Sequence, residues 1–375
     1  MSMNNVDQAY AIAIQAGVPV MLWGPPGIGK TMKTHAIGRS LGRGVVELVC
    51  STLDPTDVGL PVVDSDYNPL EGHLKEKGGR FVRVAPKWAH DCTDETILYL
   101  DEFSCTPPSV QASALKIVGE RKCGDFKLPD GMAIAMSANP VDQAAGGWDL
   151  APPMANRMVH LDCSLNTEEW CDGMIAGFPD QEPEKLGGNW EALIPSKRAL
   201  VTAYIRRFPT HLLDLPEDEA SQGKAWPSPR SWDFLCRVLA AAESIKASPA
   251  VITHLVKGSI GHPAVSFLTF CEQLDLPDPE VLLADPSLYE HPRRGDKAHA
   301  ILGSVAAAAI AKPGAKRWEA AVKVMLTAAD QGGTDIAAMA CRSLFKNVPP
   351  KANVPDEIGQ FFPMFEAAGL VKGGA

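Results

Sequence analysis

The sequence predicts an α/β fold, a doubly wound parallel sheet followed by helices, on three observations. Within the first 165 residues, five short runs are nearly all apolar rather than alternating, which is typical of strands buried on both faces. Helical stretches separate these runs, and that repeat favours a parallel sheet. After about residue 165 the strand signal fades and helical periodicity continues alone.

The five apolar runs are the predicted strands of the sheet. They are Val18–Trp23, Val45–Cys50, Ile97–Leu100, Met132–Ser137 and Met158–Leu161. Between them, Lys30–Leu41 and Pro107–Glu120 are predicted helices, the second opening on prolines that a first helical turn tolerates. Two segments interrupt the repeat. Residues 60–88 are predicted to form a strand, a long loop and a returning strand, and residues 121–131 a hairpin with Gly-Asp and Asp-Gly turn pairs.

Later in the chain, seven stretches have helical periodicity. They are Ser196–Arg207, Pro229–Ala242, Ala250–Gly258, Ala264–Leu274, Asp296–Ala311, Ala315–Ala329 and Asp335–Phe345. A Pro- and Asp-rich passage at 276–286 marks a joint between them. We therefore predict an α/β core at 1–165 with inserts near 60–88 and 121–131, a helical lid at 166–275, and a helical C-terminal extension at 276–375.

The composition excludes several classes of protein. With 375 residues, 46% hydrophobic and 21% charged, the chain suits a globular protein with a sizeable core and excludes wholesale disorder. The formal net charge of −10 opposes a duplex-coating protein, which needs a basic excess. Since no secretory signal or bilayer-length apolar run is recognised, we expect a cytoplasmic protein. The nine cysteines are scattered singly without CxxC, and reduced thiols are expected.

Residues 24–31 fit the pattern GxxxxGK[ST] between a predicted strand and a predicted helix. Glycines let consecutive backbone N–H groups point inward around a phosphate, and the following helix presents its positive end there. Lys30 is then expected to reach the β- and γ-phosphates, and the Thr31 hydroxyl to bind Mg²⁺. The predicted phosphate-binding residues are Gly24, Pro25, Pro26, Gly27, Ile28, Gly29, Lys30 and Thr31.

The third predicted strand ends in two carboxylates, Asp101 and Glu102. Strands often end in acidic residues, so the pair by itself is weak evidence for a site. Combined with the phosphate loop, it predicts that Asp101 holds Mg²⁺ and that Glu102 orients and polarises an attacking water.

Three further polar residues are candidates to act on a γ-phosphate. Asn139 closes the fourth strand, where doubly wound sheets place ligands, although asparagine before proline is also a common turn. Arg157 precedes the fifth strand and either serves a neighbouring subunit's nucleotide or caps a helix C-terminus. Arg230 opens a helix behind Pro229, where it either faces an anion or pairs with a nearby aspartate.

These motifs resemble those of AAA+ ATPases and, more narrowly, of the MoxR family. GPPGIGKT at 24–31 resembles the family's Walker A, LYLDEF at 98–103 its Walker B, and SANP at 137–140 its sensor 1. PPMANRMVHLD at 152–162 is similar to the segment that bears the arginine finger, and SPRSW at 228–232 to sensor 2.

The resemblance implies a homo-oligomeric ring, a hexamer, with ATP and Mg²⁺ between subunits, in which Arg157 acts in trans and Arg230 in cis. It also implies that the two inserts face the pore and contact a client protein. A partner with a von Willebrand factor A domain would assist this chaperone-like activity. Two alternatives stay open: a DNA-associated motor or loader, which the negative charge opposes, and a nucleotide-gated scaffold with little turnover, which Asp101 and Glu102 oppose.

Overall fold

The computed structural model describes residues 3–64, 80–140, 143, 147–178, 182–274 and 276–361. The chain divides into two units. The first unit comprises Met1–Leu186, Leu215–Val238 and Ala247–His262, and the second comprises Gly187–Asp214, Leu239–Lys246 and Pro263–Ala375. Both units draw residues from 166–275, the predicted lid, and the three-part division stays a prediction.

All strands in the described ranges belong to the first unit. In chain order they are β1 Val20–Trp23, β2 Gly44–Val49, β3 Leu60–Asp64, β4 Arg80–Val84, β5 Thr96–Asp101, β6 Lys122–Cys123, β7 Phe126–Lys127, β8 Ala133–Ala138 and β9 Val159–Asp162. Five of them form one parallel sheet with the order β2-β5-β8-β1-β9. Every residue of β1 and β8 is buried, which explains why those runs are apolar throughout. The predicted fold class is confirmed.

Helices account for most of the remaining structure. In chain order they are α1 Asn5–Gln15, α2 Lys30–Leu41, α3 Lys87–Asp91, α4 Pro108–Glu120, α5 Pro152–Ala155, α6 Thr167–Ala176, α7 Ile194–Arg207, α8 Glu219–Gln222, α9 Pro229–Ser244, α10 Pro249–Ile260, α11 Ala264–Leu274, α12 Pro279–Ala284, α13 Gly295–Ala311, α14 Ala315–Ala328 and α15 Thr334–Phe345. In the ranges that the structure describes, every helix is too short or too polar to cross a bilayer.

Two small hairpins interrupt the first unit between the strands of the sheet. Strands β3 and β4 pair antiparallel, and residues 65–79 between them lie outside the described ranges. Strands β6 and β7 form the second hairpin. Arg83 of the first hairpin donates its N–H to the Asp125 carboxylate of the second at 2.8 Å, and the Asp125 N–H donates to the Arg83 carbonyl at 2.9 Å. The two hairpins are therefore hydrogen-bonded to each other.

The second unit is helical in its described part. Helix α7 packs against α13, and α13 packs against α12, α14 and α15. The core between these helices contains Trp318, Tyr289 and Phe361, all nearly inaccessible to solvent. The helical C-terminal region that the sequence predicts is thus present.

In the first unit, the chain runs from β1 to β2 at one edge of the sheet and later from β8 past β1 to β9 at the other edge. The connections that leave the neighbouring strands β1 and β8 therefore run in opposite directions. In open α/β sheets, ligands bind beyond the carboxyl ends of the strands at such a reversal. The loop that follows β1 starts at this position.

Candidate functional site

The loop 24–31 joins β1 to α2 and is shaped by its glycines. A Cβ atom on Gly24 would lie 2.5 Å from the carbonyl oxygen of Cys163, so a side chain does not fit there. Gly27 and Gly29 have φ angles of +79° and +87°, and a Cβ on either would meet open space. Gly29 is also the N-cap of α2 and supplies no capping side chain. Because α2 begins uncapped beside open space, its first N–H groups can receive an anion.

The Lys30 side chain folds back over this loop. Its Nζ donates to the carbonyl oxygens of Gly24 at 2.7 Å and Pro25 at 2.9 Å, and to Oδ1 of Asn139 at 2.8 Å. Burial lowers the pKa of Lys30, and the neighbouring Asp101 carboxylate acts in the opposite direction. The loop lysine and the asparagine that closes β8 are thus in direct contact.

Asp101 at the end of β5 meets the loop from the other side. The Thr31 hydroxyl donates to its Oδ2 at 2.8 Å. Its Oδ1 accepts from the Tyr99 hydroxyl at 3.2 Å, from the Glu102 N–H at 2.9 Å and from the Ser137 hydroxyl. These donors fix the carboxylate, so a hydroxyl and a carboxylate oxygen lie side by side. Oxygen donors of this kind suit a hard divalent cation.

Glu102 has a left-handed backbone, with φ 54° and ψ 38°, directly after β5. This conformation costs a non-glycine residue on the order of 1 kcal/mol, and such residues cluster at functional sites. The Glu102 side chain is exposed, and its Oε2 accepts from the Ser51 hydroxyl at 2.6 Å. The second carboxylate is therefore accessible to water and anchored from the end of β2.

Sequence reasoning missed the serines that support these groups. Ser51 follows β2 and donates to Glu102, while Ser137 is the next-to-last residue of β8 and donates to Asp101. Ser104 is buried and accepts the N–H of Asn139 at 3.0 Å. The usable signal was their position, because polar residues at the carboxyl ends of neighbouring parallel strands converge on one edge.

Arg157 is half-buried and lies against α4. Its Nη1 donates to the Pro153 carbonyl at 2.5 Å, and its chain covers Gly119, where a Cβ would come within 2.6 Å of Arg157 Nε. That buried Nε has no hydrogen-bond partner within the described residues. Burial, followed by the nearby positive charge of Arg230, lowers the pKa of Arg157.

Arg230 is exposed in the first turn of α9. The predicted site residues thus fall into two groups. Lys30, Thr31, Asp101 and Asn139 form one connected cluster, with Glu102 at its edge. Arg157 and Arg230 lie near each other, and neither has a hydrogen bond or ion pair to residues 24–31 among the residues described.

Comparison with known proteins finds a family match over part of the first unit. Residues 20–116 match the ATPase family associated with various cellular activities (AAA). This stretch runs from β1 into α4 and contains the loop 24–31 and both carboxylates. No curated protein sequence matches the chain.

Two solved structures are similar to this chain, but the similarity is too low to support a functional argument. One is a Cytophaga hutchinsonii protein provisionally described as an ATPase, at 16% identity over 71% of this chain and 87% of that chain, with a TM-score of 0.45. Another is a full-length MCM homologue from Methanopyrus kandleri, at 12% identity over 68% of this chain and 55% of that chain, with a TM-score of 0.34. At these scores neither bears on function. What residues 20–116 establish is that the chain carries an AAA ATPase domain.

Proposed function

We propose that this chain is a Mg²⁺-dependent ATPase of the MoxR type that works as a homo-oligomeric ring, a hexamer, to remodel or activate a client protein. The observation that carries the ATPase assignment is the 2.8 Å hydrogen bond from the Thr31 hydroxyl to the Asp101 carboxylate, with Lys30 beside it. The pair stands at the carboxyl ends of β1 and β5, next to an uncapped helix.

The residues present fit a nucleotide with its metal ion. The loop offers open space at Gly27 and Gly29, and the uncapped start of α2 suits phosphate oxygens. Thr31 and Asp101 would hold Mg²⁺, which when bound neutralises phosphate charge and assists the leaving group.

In the proposed reaction, some side chains of the cluster bind phosphate and one activates water. Lys30 would donate to phosphate oxygens in place of the two loop carbonyls that it contacts now. Asn139, held through its N–H by Ser104, would place its carboxamide at the γ-phosphate. Glu102 has an exposed carboxylate with one oxygen bonded to Ser51, and would orient the attacking water and accept its proton.

A ring is supported by where the arginines lie. A triphosphate bound at the loop needs further positive charge as it breaks down, yet neither Arg157 nor Arg230 is bonded to the loop in the described residues. We assign Arg157 to the triphosphate of the adjoining copy. A ring of identical head-to-tail interfaces supplies one such arginine to every site.

A protein client is supported by the apolar surface of the first hairpin. Leu60, Val62 and Val84 of β3 and β4 are 51%, 39% and 47% exposed. Exposed apolar side chains of this kind suit protein contact. A partner with a von Willebrand factor A domain and a cytoplasmic location complete the proposal, on the family resemblance and the single, scattered cysteines.

Phosphate release by the full-length chain tests the ATPase assignment. We expect ATP turnover in the wild type, and Glu102→Gln should retain ATP binding while turnover falls by about 100-fold or more. Glu95→Gln, at an exposed glutamate just before the opposite end of β5, is the matched control and should leave turnover unchanged. Unchanged turnover in Glu102→Gln would contradict the role of Glu102.

Capture with the Glu102→Gln variant and ATP tests the client. A protein that is retained only with ATP supports remodelling. Strong, salt-sensitive stimulation of wild-type turnover by DNA would instead favour a DNA-associated motor.

A further inference from the structure

One buried carboxamide connects the two segments that carry the arginines. Asn156 is only 5% exposed. Its Nδ2 donates to the Trp226 carbonyl at 3.0 Å, and its Oδ1 accepts from the Ser228 hydroxyl at 2.5 Å. Arg157 is the next residue along the chain, and Arg230 stands two residues beyond Ser228. Asn156 therefore links the backbone segment that carries Arg157 to the segment that carries Arg230.

The segment that Asn156 contacts is the capped start of α9. Ser228 and Ser231 cap each other at the beginning of α9, because the Ser231 N–H donates to Ser228 Oγ at 3.2 Å and the Ser228 N–H donates to Ser231 Oγ at 2.8 Å. The Ser231 hydroxyl also reaches the Trp226 carbonyl at 3.1 Å. By holding Trp226 and Ser228, Asn156 fixes the turn on which Arg230 stands.

The segments on both sides of Asn156 make further contacts. The Lys224 ammonium lies 3.2 Å from the ring centre of Trp23, which ties the segment before Trp226 to the end of β1. On the near side, Arg157 is restrained by its bond to Pro153 and its packing on Gly119. The two positive charges thus stand on segments that Asn156 bonds to each other, an arrangement that an anion between them would stabilise.

We propose that Asn156 is a positioning residue that holds Arg157 and Arg230 as a pair facing the same phosphate group. The inference rests on the proposed ATPase function and deepens it. A charged pair that is already in place stabilises developing charge without reorganisation, and a displacement of about 1 Å can cost on the order of 100-fold in rate. It differs from the cis role that the resemblance implies for Arg230.

The test compares two asparagine variants of the full-length protein. Asn156→Ala removes the bridge and is expected to lower kcat by about 10- to 100-fold, with the KM for ATP changed less than about threefold. Asn166→Ala is the matched control. Asn166 caps α6 by accepting from the Glu168 and Glu169 N–H groups, and its loss should leave kcat within about twofold.

Coupling between the arginines separates positioning from a general loss of stability. In the wild-type background, the double variant Arg157→Ala/Arg230→Ala should lose less kcat than the product of the fold-losses of the two single variants, because either substitution already breaks the pair. In the Asn156→Ala background the two losses should multiply. Equal coupling in both backgrounds would overturn the proposal.

Hydrogen exchange gives a readout that needs no turnover. Amides of residues 229–233 should exchange faster in Asn156→Ala and unchanged in Asn166→Ala. If Asn156→Ala does not fold, Asn156→Asp serves instead, since it keeps the acceptor for Ser228 and loses the donor to Trp226. A wild type without ATP turnover contradicts the proposed function. An active wild type whose turnover and exchange are unaffected by either substitution contradicts the role of Asn156 alone.

Discussion

His160 makes the first unit sensitive to acid, because its buried ring is built to be neutral. His160 is only 8% exposed as a residue. Its Nδ1 accepts from Trp23 Nε1 at 2.9 Å, since an indole nitrogen can only donate, and its Nε2 donates to the Ala155 carbonyl at 2.8 Å. A second proton on Nδ1 would remove the acceptor for Trp23. His160→Gln tests this, as an amide offers an acceptor and a donor without a charge.

The size of the effect follows from the pKa of His160. Burial, with Lys224 nearby, lowers that pKa from 6.5 to about 4. As pH falls, the unfolded chain takes up this proton near pH 6.5 and the folded chain only near pH 4, so stability is lost as pH falls through this window. The complete loss is about 3 kcal/mol, of which about 2 kcal/mol is lost by pH 5.

Urea unfolding of both proteins at about pH 7.5 and pH 5 measures this loss. Other groups titrate equally in the two proteins and cancel in their difference. Wild type should therefore lose about 2 kcal/mol more than His160→Gln between the two pH values. His254→Gln, at a partly exposed position on α10, is the control and should behave as wild type.

Histidine NMR provides the direct check, with His160→Gln assigning the resonance. A ring that titrates at or above about pH 6.5 would refute the reasoning, as would equal acid sensitivity of wild type and variant. Either result would mean that the ring is protonated at a much lower cost than its burial implies.

Four further substitutions test the site. Lys30→Ala should abolish binding of a fluorescent ATP analogue, and retained affinity would contradict the loop assignment. Gly24→Ala should lower the free energy of unfolding by about 1–3 kcal/mol, because its Cβ would lie 2.5 Å from a carbonyl oxygen; thermal unfolding measures this. Ser137→Ala should raise the Mg²⁺ concentration for half-maximal turnover about tenfold, because Asp101 loses a donor; an unchanged requirement would contradict its supporting role. Arg157→Ala should retain nucleotide affinity and lose the turnover that depends on assembly. If isolated subunits hydrolyse ATP as fast as rings, the trans role fails.

Local signals explain why much of the fold could be predicted. Helix α2 was predicted at its observed bounds, because the glycine loop defines its start and Gly42, at φ 71°, ends it with a left-handed cap. Prolines mark the first turns of α4, α9 and α10 in the same way. The strands of the sheet were found within two residues of their ends, because burial on both faces makes them apolar runs.

Helices without an amphipathic pattern escaped prediction. Residues Ala9–Ile14 of α1 are all buried, so the helix shows no polar stripe, and its buried Asp7 is paired with Lys33 at 2.7 Å. The signal that was available is Asn4, whose side chain accepts from the Asp7 N–H and caps the helix. In α6 the large apolar side chains are exposed, so the pattern does not describe a core-facing helix.

In the site, the loop and the carboxylates are encoded locally, whereas the contacts between groups are not. Glycines, a lysine and a strand ending in acidic residues can be recognised in a stretch of a few residues. The bonds from Lys30 to Asn139 and from Asn156 to Ser228 join residues far apart in the chain. Only the strand order and the packing of the segment before α9 bring them together, and neither follows from a motif.

The division of the site into two groups has an electrostatic consequence. The cluster at the loop contains Lys30 as its cation, while its carboxylates add negative charge at the same edge. A triphosphate with one Mg²⁺ remains anionic, and its charge shifts toward the leaving group during transfer, so this cluster binds the substrate better than it stabilises the transition state. In the proposed function the further positive charge comes from Arg157 and Arg230, which have no hydrogen bond or ion pair to residues 24–31 among the residues described. If a second copy supplies the arginines, as proposed, binding is a property of one copy and fast turnover a property of two.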